Sequence, residues 1–353
     1  MNPLRTLHLA HAILRANLGL LRNPYKLTFV VTWRCNARCR HCEIWNKNDP
    51  TPPLSLNEIE RFIQQYPGFT WIDLTGGEPF LRPDIVDLTA LLLRHSPRLD
   101  HLHLPTNAVS PALTIQRIEE LLRLDPPMLT ITLSLDGPLP LHDRLRGVEG
   151  NGQNVLEVLR HFHRHPDPRL RLYLGFTLSD HNVGTLTATK EAVQREMPWI
   201  DWHHWHLNLA HTSAHYYGNS AQPLLTPPHH PALIQEITTM RAQKASRWWD
   251  PVSWLETRYL DGAIRHLAGQ RQPLPCLAIH SSLYLAPDGT CYPCSIWNHP
   301  VGQLRDFDYD LSALLASTPA RHTREMIHKQ QCPGCWTPCD AYPTILGHLV
   351  QQR

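Results

Sequence analysis

Several features that would announce a function are missing from this chain. Charge of one sign is the first: 33 Lys and Arg against 31 Asp and Glu leave a formal net charge of +2, without the basic excess of a nucleic-acid binder. A long apolar run is the second. The leucine-rich N-terminus is interrupted by Arg5, Arg15 and Arg22, and no small-residue cleavage site follows, so neither a signal peptide nor a membrane-spanning helix is expected. A paired cysteine framework is the third. The nine cysteines are odd in number, three early and six late, which argues against a secreted disulfide scaffold and suits a reducing cytoplasm. Finally, the 24 histidines are scattered, and none forms the His-Glu-x-x-His pair of a helical zinc site.

What is present begins with Thr32-Trp33-Arg34-Cys35-Asn36-Ala37-Arg38-Cys39-Arg40-His41-Cys42, directly after the β-branched, apolar run Leu27 to Val31. Thiolates spaced four and three residues apart on one short loop can hold three corners of a cubane iron–sulfur cluster, which ordinarily takes four cysteines. One iron is then open to a substrate or cofactor. The alternative on spacing alone is a zinc knuckle that borrows a distant fourth ligand.

The apolar fraction, 42%, is that of a globular protein, and 353 residues suffice for one large domain or two ordinary ones. Residues 4–22 place Leu7, Ala10, Leu14, Leu18 and Leu21 at helical spacing, with Arg5, His8, Arg15 and Arg22 on the other side. This is an amphipathic helix that either caps the following domain or lies on a membrane or lipid. From Leu27 to about Leu209, short β-branched or apolar runs alternate with longer periodic ones. Strands are expected near 27–32, 70–74, 100–104, 129–135, 171–178 and 203–209. Helices are expected near 56–66, 84–95, 112–124, 153–165, 184–196 and 231–244, the first opening on the capping box Ser55-Leu56-Asn57-Glu58. Six βα units make an α/β fold, a partial TIM-like barrel left open, with its chemistry at the carboxyl ends of the strands.

Those ends carry polar residues. Strand two ends in Thr75-Gly76-Gly77-Glu78-Pro79, whose glycines admit close backbone approach and whose carboxylate could receive hydrogen bonds from an ammonium group. Strand three ends in Pro105-Thr106-Asn107-Ala108, where Thr106 and Asn107 either face the pocket or cap the next helix. Strand four ends in Ser134-Leu135-Asp136-Gly137-Pro138 and is followed by His142-Asp143-Arg144-Leu145-Arg146-Gly147. Ser134 and Asp136 share one side, where they could address ribose hydroxyls or the reacting carbon, and the arginines could neutralise a carboxylate. Strand five leads to Ser179 and Asn182, further cofactor or substrate contacts. Alternation puts His204, His206 and Asn208 on one face of strand six, and His206 or His211 could accept a proton, although a hydrogen-bonded barrel histidine is the commoner role. Residues 218–274 read as a linker and helical bridge, whose Trp248, Trp249 and Trp254 either bury against the barrel or wall an apolar pocket.

The cysteine loop resembles that of the radical S-adenosylmethionine (radical SAM) superfamily, and Gly76-Gly77-Glu78-Pro79 is similar, residue for residue, to the family's motif for the methionine amino group. The resemblance implies that Cys35, Cys39 and Cys42 hold a 4Fe–4S cluster whose open iron chelates S-adenosylmethionine. It also implies that reduction yields a 5′-deoxyadenosyl radical that takes hydrogen from a substrate, with a reductant such as flavodoxin or ferredoxin as partner. Cofactor contacts are expected from Gly76, Gly77, Glu78 and Pro79, then Thr106 and Asn107, and beyond them Ser134, Asp136, Arg144 and Ser179. One departure stands out. Ala108 occupies the place of a glycine in the family's Thr-Asn-Gly segment, and alanine tolerates a positive φ poorly.

The late cysteines are Cys276, Cys291, Cys294, Cys332, Cys335 and Cys339, with Leu283-Tyr284-Leu285 and Cys291-Tyr292 as the arms of a hairpin around Pro287-Asp288-Gly289-Thr290. They resemble the twitch and SPASM extensions of the same family, in numbers too small for two further clusters. One auxiliary 4Fe–4S cluster is therefore expected on Cys276, Cys294, Cys332 and Cys335, with Cys339 as the substitute for Cys335 and Cys291 free or peripheral. A structural zinc is the alternative on the same thiolates. The expected division is an N-terminal helix (1–25), a barrel (26–217), a bridge (218–274) and an auxiliary-cluster domain (275–353). The reading is of a cytoplasmic enzyme, with peripheral membrane contact through residues 4–22 as an option. It would act on a lipid, sugar or other small metabolite, or alternatively on a peptide; a non-catalytic metal-binding protein is the remote alternative.

Overall fold

The alternation within the first strand sets the architecture. In β1 (Lys26–Thr32), Leu27, Phe29 and Val31 pack into the main core with the helices, whereas Lys26 and Thr28 face the inner side of the sheet. A computed structural model, which describes residues 3–47, 51–244 and 250–349, repeats this pattern in β2 (Trp71–Gly76), β3 (His101–Thr106), β4 (Leu129–Ser134), β5 (Leu170–Leu178) and β6 (Trp205–Leu209). These six pair in parallel and in chain order. The sheet does not close. On the free side of β1 lies β7 (Ser282–Leu285), also parallel, and the hairpin continues through β8 (Thr290–Tyr292) to the two-residue β9 (Gly302–Gln303), giving one nine-stranded sheet. The fold is thus an α/β partial barrel whose cysteine-rich C-terminal segment extends the same sheet.

Three differences from the sequence reading have local causes. Strand six starts at Trp205 because Trp202–His204 form a 3-10 turn, in which Asp201 accepts a bond from the His203 N–H at 2.9 Å. The helix Leu139–Arg146, not anticipated, is bounded by Pro138 and by Gly147 in the left-handed region. The N-terminal helix ends at Asn17, before Gly19 with φ 67°, and it turns its leucines outward. Its attachment is through the other face: Thr6 donates to Asp100 at 3.0 Å and Asn17 to the Leu346 carbonyl at 2.7 Å. Trp254 packs against the core, while Trp248 and Trp249 lie outside the described residues. Among the described residues no helix is long and apolar enough to cross a membrane.

A buried lysine joins the barrel to the C-terminal segment. Lys26 Nζ lies 2.8 Å from Asp73 on β2 and donates to the Cys339 carbonyl at 2.6 Å, on the helix Pro338–Leu346. Burial alone would lower its pKa, but the Asp73 charge holds it above the ordinary value. Lys26→Met is expected to destabilise the fold by about 3–5 kcal/mol, because it strands Asp73 as a buried carboxylate. A lowered urea midpoint at unchanged slope is the measurement that checks this.

Candidate functional site

The cysteine loop is held by three other segments of the chain. Gly77 and Glu78 donate backbone N–H groups to the carbonyls of Thr32 and Arg34, each at 2.9 Å. On another side, Arg38 and Arg40 donate to the carbonyls of Arg146 and Leu145 at 2.8 and 2.9 Å. Glu43 N–H reaches the Tyr217 carbonyl at 2.8 Å, and Asn219 donates to the His41 carbonyl at 2.7 Å. The two glycines are required by this packing: a Cβ on Gly76 would stand 2.2 Å from the Thr32 carbonyl oxygen, and one on Gly77 2.2 Å from that of Arg34. Cys35, Cys39 and Cys42 are free thiols. Asn107 Nδ2 lies 3.8 Å from the Cys35 sulfur and Arg146 Nη1 3.6 Å from that of Cys39. Burial raises all three thiol pKa values, that of Cys42 to about 12, so their thiolates call for the cationic partner that iron would provide.

Glu78 is turned inward. Its carboxylate accepts from Thr106 Oγ1 at 2.9 Å, from Asn107 N–H at 2.7 Å and from Phe80 N–H at 3.2 Å. Burial pushes its pKa up to about 7, and these donors oppose the rise. Three of the roughly four acceptor positions of the carboxylate are thereby engaged within the protein, and it joins the ends of β2 and β3. Pro79 opens a short buried turn beside it. Thr106 and Asn107 serve this junction, while capping of the next helix falls to Ser110, which accepts from Leu113 N–H at 3.5 Å. Ala108 takes the left-handed conformation after all, at φ 52°.

Beyond β4, Asp136 is fully buried, accepts from Thr177 N–H at 2.8 Å and pairs with Arg146 at 2.6 Å. Burial alone would raise its pKa, but the Arg146 charge holds it below the usual carboxylate range. Of the two arginines in this helix, Arg146 reaches the cysteine loop and Arg144 is exposed; two positions are roughly 200° apart on a helix. A chain of side chains unmarked by any motif continues from here. His142 accepts from Asp136 N–H at 3.0 Å and bonds Asn151 at 2.9 Å, and Asn151 donates to the Asn107 carbonyl at 2.9 Å. Asn182 donates to the carbonyls of Asp136 and Thr177 at 3.0 and 2.8 Å and accepts from the Ser179 backbone and hydroxyl at 2.8 and 3.3 Å. Ser179 is thereby buried, whereas Ser134 is half-buried on the inner face. His41, between Cys39 and Cys42, lies close to Asp136 and Arg146, and burial drives its pKa down to about 4.

The two strand-six histidines are not brought together. His206 stacks on Tyr173 with ring centroids 3.8 Å apart, and its Nε2 lies 3.8 Å from Glu256. His211 sits beside His266, ring centroids 5.9 Å apart. Burial lowers both pKa values, that of His211 to about 4, and neither Nε2 has a hydrogen-bond partner among the described residues.

In the C-terminal segment Cys276, Cys294, Cys332 and Cys335 line one cavity with Trp297, Trp336 and Asp340. Three sulfurs accept N–H bonds: Cys276 from Ala278 at 3.4 Å, Cys294 from Trp297 at 3.3 Å and Cys332 from Gln272 Nε2 at 2.9 Å. Four free thiols around one cavity fit a four-iron cluster. Cys339 is outside this lining, and Cys291 is buried in β8. Among the described residues no three His, Cys, Asp or Glu side chains close around a single metal ion. The loop Cys332–Cys335 is gathered by Arg271, which donates to the carbonyls of Gln330 and Pro333 at 3.1 Å each and to that of Cys332. If these four thiols hold a four-iron cluster, Arg271→Ala is expected to lower iron from about eight to about four atoms per chain in reconstituted protein, measured by colorimetric iron analysis.

Residues 29–186 match the family model described as the Radical SAM superfamily. The AdoMet-dependent heme synthase of Nitratidesulfovibrio vulgaris is 30% identical over 182 residues, 50% of this chain and 46% of that protein. This chain spans between 18% and 52% of the length of the curated relatives it matches. In fold it is similar to native anSMEcpe with bound AdoMet, at a TM-score of 0.60 and 14% identity over 93% of this chain and 98% of that one. It is likewise similar to Streptococcus suis SuiB bound to precursor peptide SuiA, at 0.55 and 15% over 99% and 77%.

Proposed function

We propose that this chain, whose residues 29–186 match the radical SAM superfamily, is an iron–sulfur enzyme that uses S-adenosylmethionine to take a hydrogen atom from a polar small molecule held inside the barrel. When bound, cluster and cofactor would supply the one-electron chemistry that removes a hydrogen atom from an unactivated carbon. Cys35, Cys39 and Cys42 would hold that cluster. Gly76, Gly77 and Glu78 brace their loop, and Asn107 and Arg146 direct N–H groups at two of the sulfurs. Asp136, Ser179 and Asn182 shape the adjoining strand ends, where the cofactor's ribose would lie. Cys276, Cys294, Cys332 and Cys335 would hold an auxiliary cluster that takes up an electron or helps to bind the substrate.

One observation supports the substrate class. The inner face of the sheet is polar, from Lys26 and Asp73 through His103 and Thr132 to His206 and Asn208. On it His206 Nε2, 3.8 Å from Glu256, and Asn208 Oδ1 are buried without a hydrogen-bond partner among the described residues. Each such atom costs about 1–3 kcal/mol, which the hydroxyl or amino groups of a sugar or similar metabolite would offset and a lipid chain would not. A second reading, modification of a peptide, draws on the fold likeness to SuiB, whose structure contains a precursor peptide. The test is to add polar, lipid and peptide fractions of a cell extract to reconstituted enzyme and measure 5′-deoxyadenosine. Stimulation by the polar fraction, lost in His206→Phe and Asn208→Leu, is expected. Stimulation by the lipid or peptide fraction alone would refute the polar-metabolite reading while leaving cofactor cleavage intact.

A further inference from the structure

We propose that the N-terminal helix and the turn after it seat this protein on the surface of an anionic phospholipid membrane, independently of its substrate. The helix Pro3–Asn17 is a fixed part of the fold, held by the Thr6 and Asn17 bonds and by Ala16, which lies against Gly347. Yet Leu7, Leu14, Leu18 and Leu20 are 63%, 55%, 59% and 57% exposed. Of the seven large hydrophobic side chains that the described residues leave exposed, five fall in residues 4–20, and a sixth, Leu349, follows Gly347 by two positions. Exposed apolar groups concentrated at one end of a molecule mark an interaction surface, whereas scattered ones would need no account.

Charge selects the occupant. Residues 1–42 contain no Asp or Glu, while Arg5, Arg15 and Arg22 accompany the leucines. Residues His11, Leu14, Arg15, Leu18, Leu20 and Arg22 line one open groove between helix and turn. A second copy would oppose like charges across this patch; an anionic headgroup layer pairs with them while the leucines enter the acyl boundary. Placement gives the arrangement a use. The helix is tied to Asp100, next to the amino end of β3, whereas the cysteine loop follows the carboxyl end of β1, so a membrane-bound molecule keeps its loop turned toward the soluble phase and its reductant.

Sedimentation of the protein with vesicles tests this, using phosphatidylcholine alone and phosphatidylcholine mixed with phosphatidylglycerol. Binding to the mixed vesicles and not to the neutral ones is expected, weakening as salt rises. Neutralising Arg5, Arg15 and Arg22 to Gln together should lower affinity on the order of a hundredfold, about fivefold per charge. Leu14→Glu with Leu18→Glu should abolish binding; both positions are exposed, so melting temperature and iron content should not change. The proposal is overturned by absent binding, by equal binding to neutral vesicles, or by binding that survives either set of substitutions. It is equally overturned if light scattering shows a dimer that the leucine substitutions dissociate.

Discussion

Gly77→Ala is expected to leave the chain with about half its iron and no measurable cleavage of S-adenosylmethionine. The added methyl would meet the Arg34 carbonyl oxygen at 2.2 Å and that of Trp33 at 2.8 Å. Both are backbone atoms and cannot rotate away, so the cysteine loop itself must shift. The shift also breaks the bonds from Gly77 and Glu78 N–H groups to the Thr32 and Arg34 carbonyls. A displacement of about 1 Å in a reacting constellation can lower a rate on the order of a hundredfold, and here it moves the cluster ligands as well. The late cysteines lie on separate segments and should still load, giving about four irons per chain instead of about eight. Full iron content and unchanged cleavage would contradict the role given to this glycine.

Arg146→Met carries the second large effect, on stability. It leaves Asp136 fully buried without the guanidinium that pairs with it, an arrangement that costs about 3–5 kcal/mol near neutral pH. The pH dependence follows from the direction of each shift. In the native chain Asp136 is held below its ordinary value, so its contribution is present above the unfolded pKa of about 3.9 and is lost as pH falls through the lower folded value. Without Arg146, burial dominates and raises the folded value above the unfolded one. The penalty is then absent in acid and grows as pH rises. The gap in urea midpoint between the two proteins should therefore widen from about pH 4 to about pH 8. A constant gap would show that Asp136 is not the group left uncompensated.

The parts of the fold and site that were legible are those written locally in the chain. The capping box at Ser55 is formed as expected, with Ser55 N–H donating to Glu58 at 2.8 Å and Glu58 N–H to Ser55 Oγ at 3.4 Å. Six β-branched or apolar runs became six parallel strands, and three cysteines with one Gly-Gly-Glu-Pro segment mark the site within about fifty residues of each other. What could not be read joins distant residues. Lys26 meets Asp73 and Cys339, Arg271 gathers a loop near residue 332, and Asn151 reaches Asn107; no periodicity encodes such pairs. Which of Arg144 and Arg146 points inward depends on the period of the helix Leu139–Arg146, a short element that no run of periodic apolar residues announces. At the N-terminus the pattern identified the apolar face but not which face meets the barrel.

The central claim is that Cys35, Cys39 and Cys42 hold a cluster that cleaves S-adenosylmethionine. Its most direct test is anaerobic reconstitution with iron and sulfide, followed by dithionite and S-adenosylmethionine, with 5′-deoxyadenosine measured by chromatography and mass. The expected result is 5′-deoxyadenosine from the native chain and none from protein carrying Cys35→Ala, Cys39→Ala and Cys42→Ala together. No product from the native chain above that control, with iron bound, would contradict it.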